Sequence, residues 1–341
     1  MRRLVVCVLL AVVVAACGGG GDDDRADATE DADASGVRRI AGADAYETAA
    51  AIALDEYDSA SDPVLGNGDD PADALAGSYL AATHGSAVLL TRRDELPRST
   101  VDALASLRSR TIHVLGGTAA VGPEVEAQLT SLGYTVNRVA GPDRYATAVA
   151  VAKEEGTAIL GIWPGEGRTV FLANGQRPSD ALTAGPLAYS LLLPILLTDA
   201  AALPAVTASA LDELAVEHVI VLGGTAAVSE AVVAQLEGTG RTVRRVAGPD
   251  RAATAVAVAD LFEEVGVSPT SVDLAAADAV AELLAAGPHA RPDTPILLCV
   301  TVDDCGDATV GWARGRSLAE VVVLGPESEV ALRAAQALLE R

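Results

Sequence analysis

Between positions 138 and 244 the chain alternates short, uniformly apolar runs with longer stretches in which apolar and polar residues mix. The runs are Val170-Phe171-Leu172-Ala173, Pro194-Ile195-Leu196-Leu197-Thr198 and Val219-Ile220-Val221-Leu222. Such runs predict strands covered on both faces, and strands that alternate with helices predict a parallel sheet. A short strand ending at Ala140 comes first, followed by a Gly141-Pro142 turn. Asp143 then stands where an N-cap accepts the first free amides of a helix through Ala146 to Glu155. A second helix is expected through Ala181 to Leu191, capped by Ser179 or Asp180 and shortened or kinked by Pro186. A third covers Val206 to Leu214, and a fourth runs from Ser229 to Leu236, after the Gly223-Gly224 loop. The pattern is that of a small doubly wound α/β domain.

It occurs three times. Arg138-Val139-Ala140-Gly141-Pro142-Asp143-Arg144-Tyr145-Ala146-Thr147-Ala148 recurs as Arg39-Ile40-Ala41-Gly42-Ala43-Asp44-Ala45-Tyr46-Glu47-Thr48-Ala49 and as Arg245-Val246-Ala247-Gly248-Pro249-Asp250-Arg251-Ala252-Ala253-Thr254-Ala255. Val114-Leu115-Gly116-Gly117-Thr118 returns as Val221-Leu222-Gly223-Gly224-Thr225 and, eroded, as Val323-Leu324-Gly325-Pro326. Cuts before Arg138 and Arg245 give units 37–137, 138–244 and 245–341, each one copy of a single building block. The third keeps the architecture and loses side chains: Asn174-Gly175 becomes Ala276-Ala277, Asp180 becomes Glu282, Thr198 becomes Val300 and Gly224 becomes Pro326. If those positions carry contacts, its site is weakened.

Charge narrows the partners. The chain carries −23, and setting aside the two arginines of the leader and the seven acids and one arginine of residues 18–36 leaves −19 on the repeats. Nucleic acid is excluded as a natural ligand, since its binding rests on neutralising phosphates with Lys and Arg. The leader has a secretory order: Arg2 and Arg3, the apolar run Leu4 to Val14, then Ala15 and Ala16 before Cys17. That run is shorter than the roughly 20 residues needed to cross a bilayer. Residues 18–36, rich in Gly, Asp and Ala, read as a disordered acidic tether. Cys299 and Cys305 form an even pair in an exported chain and suggest a local disulfide, with a metal site as the alternative that lacks ligands at zinc spacing.

The four ordered blocks closely resemble the type 2 cell-wall-binding repeat, found in three tandem copies in exported bacterial surface proteins. They cover almost all of residues 37–341. The resemblance implies Toprim-like parallel-sheet modules packed about a pseudo-threefold axis, with head-to-tail contacts that close after three copies. It also implies non-covalent docking on an anionic cell-wall polymer. Val14-Ala15-Ala16-Cys17 resembles the bacterial lipoprotein cleavage box, which implies a signal peptide over 1–17, lipidation of Cys17 and a place on the outer face of the cytoplasmic membrane. The alternative at that point is an ordinary signal peptide cut near Ala16.

The ligand-binding candidates are Arg39, Arg138, Asp143, Arg144, Tyr145, Thr147, Asn174, Asp180, Gly223, Gly224, Arg245 and Arg251. Each has a structural reading beside the functional one. Asp44, Asp143 and Asp250 suit helix caps; Arg39, Arg138 and Arg245 suit clamps between modules. Arg144 and Arg251, placed after a cap, call for an acid or an anion to meet them. The Gly-Gly loops offer amides to an anion or serve as tight turns. The first unit has Ala45 where the others have arginine.

No motif of nucleophilic, dinucleotide or zinc chemistry occurs. His84, His113, His218 and His289 do not fall at equivalent positions, and Trp163 and Trp312 are not repeated. Asp143 and Asp180 could imitate the magnesium carboxylates of Toprim enzymes. The expectation is nevertheless a non-enzymatic, cofactor-free and metal-free envelope lipoprotein whose three repeats bind a wall polymer and need no second copy. The alternative is a protein that binds a small anionic solute or modulates a wall hydrolase.

Overall fold

The computed structural model describes residues 29–30, 36–156, 159–177, 179–289, 293–300, 305–325 and 329–339. The leader, Cys17 and Pro326 lie outside them. Its strands, in chain order, are β1 (Thr29–Glu30), β2 (Val37–Ile40), β3 (Val64–Asn67), β4 (Val88–Thr91), β5 (Thr111–Leu115), β6 (Thr135–Val139), β7 (Thr169–Asn174), β8 (Ile195–Thr198), β9 (His218–Leu222), β10 (Thr242–Val246), β11 (Ser271–Ala276), β12 (Ile296–Cys299) and β13 (Glu320–Leu324). They form three sheets, ordered β4-β3-β5-β6, β8-β7-β9-β10 and β12-β11-β13-β2-β1. Every pairing is parallel except the short antiparallel contact of β1 with β2.

The sheets are out of phase with the sequence repeats by one strand. The segment that opens the second repeat, with Arg138, is the last strand of the first sheet, and the segment with Arg245 is the last strand of the second. The first repeat's opening strand has no earlier sheet to join and completes the third instead: Val37 pairs with Val321 and Ile40 with Leu324. Backbone hydrogen bonds thus tie the beginning of the repeats to their end. Thr29 and Glu30, inside the stretch expected to be a disordered tether, pair with Ile40 and Arg39. The exposed edge of β2 offers them unpaired amides and carbonyls.

Alternation along each strand serves two cores. Val64, Phe171 and Ala275 face one central cluster shared by all three units. Their neighbours Leu65, Leu172 and Leu274 face separate outer clusters, one per unit. Both faces of every sheet are covered, which explains the uniformly apolar runs. In the centre, helices Gly77–His84, Gly185–Leu191 and Val280–His289 pack on one another. They meet at Ser78, Gly185 and Gly287. A Cβ on Gly185 would sit 3.0 Å from the Cα of Gly287 and 3.1 Å from the Ser78 hydroxyl, so only the smallest residues allow this approach.

The helix expected through Ala181 to Leu191 is two helices, Ser179–Leu182 and Gly185–Leu191. Pro186 lies in the first turn of the second, where a missing N–H costs nothing. Cys299 and Cys305 are joined by a disulfide at the end of β12.

The junction of the third unit with the first carries buried charge. Asp273, on β11, points into the central cluster from the position that is Val64 or Phe171 in the other sheets. His289 meets it, with Nδ1 2.9 Å from Asp273 Oδ2 and Nε2 3.0 Å from Asp55 Oδ2. Asp55, at the end of helix Ala45–Glu56, also receives Arg38 through both guanidinium nitrogens at 2.9 Å, and Arg38 Nε donates to Glu320 at 2.6 Å. Burial by itself would lower the His289 pKa, but the two carboxylates outweigh it and hold the imidazole up to about 10. Burial would raise Asp55, yet His289 and Arg38 bring it down to about 2.

Candidate functional site

The strands of each sheet all end on the same side, where crossover loops of parallel sheets gather and ligands commonly bind. Three contributions meet there at the seams after the first and second units: an acid after the first strand of a unit, the Gly-Gly loop after its third, and the N-terminus of the next unit's leading helix. The leading helices of the three units are Ala45–Glu56, Arg144–Lys153 and Arg251–Ala259. Each is capped by its aspartate. Asp143 accepts from the Ala146 amide at 2.8 Å, Asp250 from Ala253 at 2.8 Å, and Asp44 from Tyr46 and Glu47 at 2.9 Å. Such a cap stabilises by about 1 kcal/mol.

The Gly-Gly loops are held from beneath by the arginines of the swapped strands. Arg138 donates to the Gly116 and Val121 carbonyls and, at 2.6 Å, to Glu126. Arg245 donates to the Gly223 carbonyl and to Glu230, both at 2.9 Å. These guanidiniums are clamps, spent on loop carbonyls. Arg39 occupies the same strand position in the third sheet, paired with Val323. Asn174 is buried and donates to the Ala227 carbonyl at 2.6 Å, while its own oxygen accepts from the Gln176 amide at 2.7 Å. Asn67 repeats the arrangement with Ala120 at 2.7 Å. Gly116 and Gly223 have φ of 89° and 94°, and a side chain on either would strike the carboxylate of Asp73 or Asp180. The first glycine of each pair is therefore what lets the acid lie against the loop.

The seams then diverge. Between the first and second units, the Thr147 hydroxyl oxygen accepts from the Gly141 amide at 3.1 Å. Burial raises the Asp73 pKa, a shift that the neighbouring Thr147 hydroxyl opposes. Arg144 turns away to the Gly175 carbonyl at 2.8 Å, beside Tyr145. Between the second and third units, Thr254 instead donates to the Asp250 carbonyl at 3.0 Å, leaving Asp180 to a cavity of about 380 Å³. Its wall includes Arg177, Ser179, Asp180, Gly224, Asp250 and Arg251. Burial raises the Asp180 pKa, partly offset by Arg251 and then Arg177. A volume of this size holds a small ligand. Two guanidiniums can take a phosphate or carboxylate in paired hydrogen bonds, and the aspartate can accept from hydroxyls.

The structure thus brings Asp180, Gly224 and Arg251 together and places Gly223 and Arg245 underneath them. Asp143, Arg144, Tyr145 and Thr147 belong to the preceding seam, so Asp143 and Asp180 do not form one carboxylate pair. Among the described residues no cluster of His, Cys, Asp or Glu could hold a metal ion. Repetition hid two cations. Arg177 corresponds to Asp70 of the first unit, and so fell outside the recurring blocks. Arg92 compensates for Ala45: its guanidinium lies 4.5 Å from the Tyr46 ring centre and 3.7 Å from Asp44. Both tryptophans are buried, so neither offers a face to a sugar ring.

The chain is similar over 238 residues, at 29% identity, to N-acetylmuramoyl-L-alanine amidase LytC of Bacillus subtilis, covering 70% of this chain and 45% of that protein. It is 32% identical over 213 residues to the amidase enhancer of the same organism, covering 62% of this chain and 28% of that one. Among solved structures, Cwp6 from Clostridium difficile superposes with a TM-score of 0.79 at 25% identity, over 89% of this chain and 48% of that one. Cwp8 from Clostridium difficile shares the fold with a TM-score of 0.77 at 23% identity, over 90% and 52%. The chain therefore spans about half of each solved structure and less than half of the two curated relatives. The description of cell wall binding domain 2 (CWB2) fits residues 39–126, 138–233 and 245–333, one match per repeat, and the chain belongs to that family.

Proposed function

We propose that this protein is a non-enzymatic binding protein of the cell envelope, docking non-covalently on an anionic polymer of the cell wall. The observation that carries the reading is the seam between the second and third units, where Arg177 and Arg251 flank Asp180 around an open cavity. Guanidiniums supply the contacts for phosphate or carboxylate groups, and Asp180 accepts from neighbouring hydroxyls. With −19 on the repeats, the surrounding field opposes a long polyanion at low ionic strength, so short-range contacts in this cavity carry the affinity.

The relatives support a role at the wall through the region they share with this chain. The amidase activity in one relative's name is a property of that whole protein, of which the shared region is less than half. The leader supports export, and Cys17 after Ala15-Ala16 supports a lipid anchor on the outer face of the membrane.

Retention of the purified full chain on isolated cell walls tests the reading. The wild-type chain stays with the walls at moderate salt, while Arg177→Gln with Arg251→Gln lowers retention by about tenfold, equivalent to about 1.4 kcal/mol. Equal retention of the double variant defeats the assignment of the cavity, and no retention of the wild type defeats the function.

A further inference from the structure

The third unit also differs from the others next to the seam cavity, at a place that shares Asp250 and Arg251 with it. In the first unit the Tyr46 ring is buried against Gly68, whose added Cβ would lie 3.0 Å from the ring, and its hydroxyl donates to Asp69 at 2.6 Å. In the second, the Tyr145 ring lies against Gly175 at the same 3.0 Å and near Leu197. In the third, the tyrosine is Ala252 and the glycine is Ala277. The two changes are coupled: a methyl at 277 occupies the surface on which a ring at 252 would rest. What remains is a cavity of about 370 Å³ walled, among the described residues, by Asp250, Arg251, Ala252, Ala277 and Val300.

We propose that this cavity is a second binding site, for a small molecule that carries one planar ring and one anionic group. The ring takes the place that a tyrosine fills in the sister units. The apolar floor of Ala252 and Ala277, with Val300 exposed at the rim, matches a hydrocarbon ring and offers it no hydrogen-bond partner to lose. The anion meets Arg251. Where Arg144 makes a 2.8 Å hydrogen bond to Gly175, Arg251 reaches the corresponding Ala277 carbonyl only at 3.5 Å. Its guanidinium is available to a carboxylate at the mouth of the cavity. Loss of the tyrosine ring in the eroded copy thus creates a site that the better-kept copies fill with their own residues. The proposal goes beyond wall docking and does not rest on it.

The test titrates 4-hydroxyphenylacetate into the full chain labelled at alanine methyl groups and follows, by NMR, both Ala252 and Ala277 and the broadening of the probe's own ring protons. The expected result is a saturable shift of both signals with a dissociation constant on the order of 1 mM, as suits a ligand of this size. Ala252→Tyr with Ala277→Gly restores the ring of the sister units and removes both reporting methyls, so it is read from the probe's own ring protons, whose broadening it abolishes. No saturable shift of the wild type, or the same broadening of the probe in the double variant, overturns the proposal. Arg251→Gln, at an exposed position, provides a check that does not depend on that double variant folding. It weakens the probe about tenfold while leaving neutral 4-methylphenol unaffected, and unchanged probe affinity overturns the assignment of the anion.

Discussion

The seam that joins the third unit to the first and the seam that joins the second to the third are built from the same repeat, yet they spend their polar residues in opposite ways. At the first, Arg38, Asp55, Asp273, His289 and Glu320 pair with one another inside the molecule. At the other, Asp180, Arg177 and Arg251 line open space. The closing seam must bring together residues more than 200 positions apart in sequence, and the entropy of that closure has to be offset by contacts made nowhere else. The second seam joins units already connected by a short stretch of chain, and its side chains are free to face a ligand. Where the covalent chain does the joining, the seam can serve binding.

Breaking the closing seam has the largest expected effect. Asp273→Ala leaves His289 buried beside a single carboxylate and costs about 3–5 kcal/mol, read from urea unfolding. A loss below 1 kcal/mol would mean that the cluster does not close the ring. Its pH dependence sharpens the point. The His289 pKa is raised from 6.5 to about 10, so its contribution is complete below 6.5 and disappears as pH rises through 10. Asp55, lowered from 3.8 to about 2, contributes above 3.8 and stops contributing as pH falls through 2. His289→Gln therefore flattens the alkaline limb of the stability profile, and an unaltered limb would assign it to other groups.

Next in size, Gly287→Val pushes a side chain into Ser78 and Gly185 where all three units meet, at a cost of about 2 kcal/mol by calorimetry. A neutral outcome would show that the axial helices do not need their close approach. Arg245→Met removes the support under Gly223 and costs about 1.5 kcal/mol, with wall retention falling because the cavity loop loosens. Retention that survives this loss would separate the loop from the binding surface. Smallest of all, Arg251→Ala shifts stability by no more than about 0.5 kcal/mol, while wall retention drops. If instead the variant unfolds more easily and binds as before, the two seams are alike after all.

Much of this architecture was legible in the residues. Uniform runs such as Val219 to Leu222 marked strands covered on both sides, Asp143 and Asp250 marked helix starts, and Pro186 marked a break. The sheet to which a strand belongs was not legible. Arg138-Val139 reads as the beginning of a repeat because repetition is counted along the chain, whereas hydrogen bonding is decided in space. The third unit was the other blind spot. Asp273, Ala252 and Ala277 look like erosion when compared with their counterparts, but Asp273 builds the closing cluster, and Ala252 opens a cavity that Ala277 helps to floor. The clamping role of Arg245 was foreseen as one of two readings, and only the position of the Gly223 carbonyl distinguishes them.

The one-strand offset also means that no copy completes a sheet by itself: a fragment of one or two copies would end on a sheet whose last member lies elsewhere. By the same logic the covalent break between the ends is a matter of bookkeeping. A rearranged gene that began at Arg138 or Arg245 and linked the old termini would encode the same closed body, with its opening merely moved to another of the three joints.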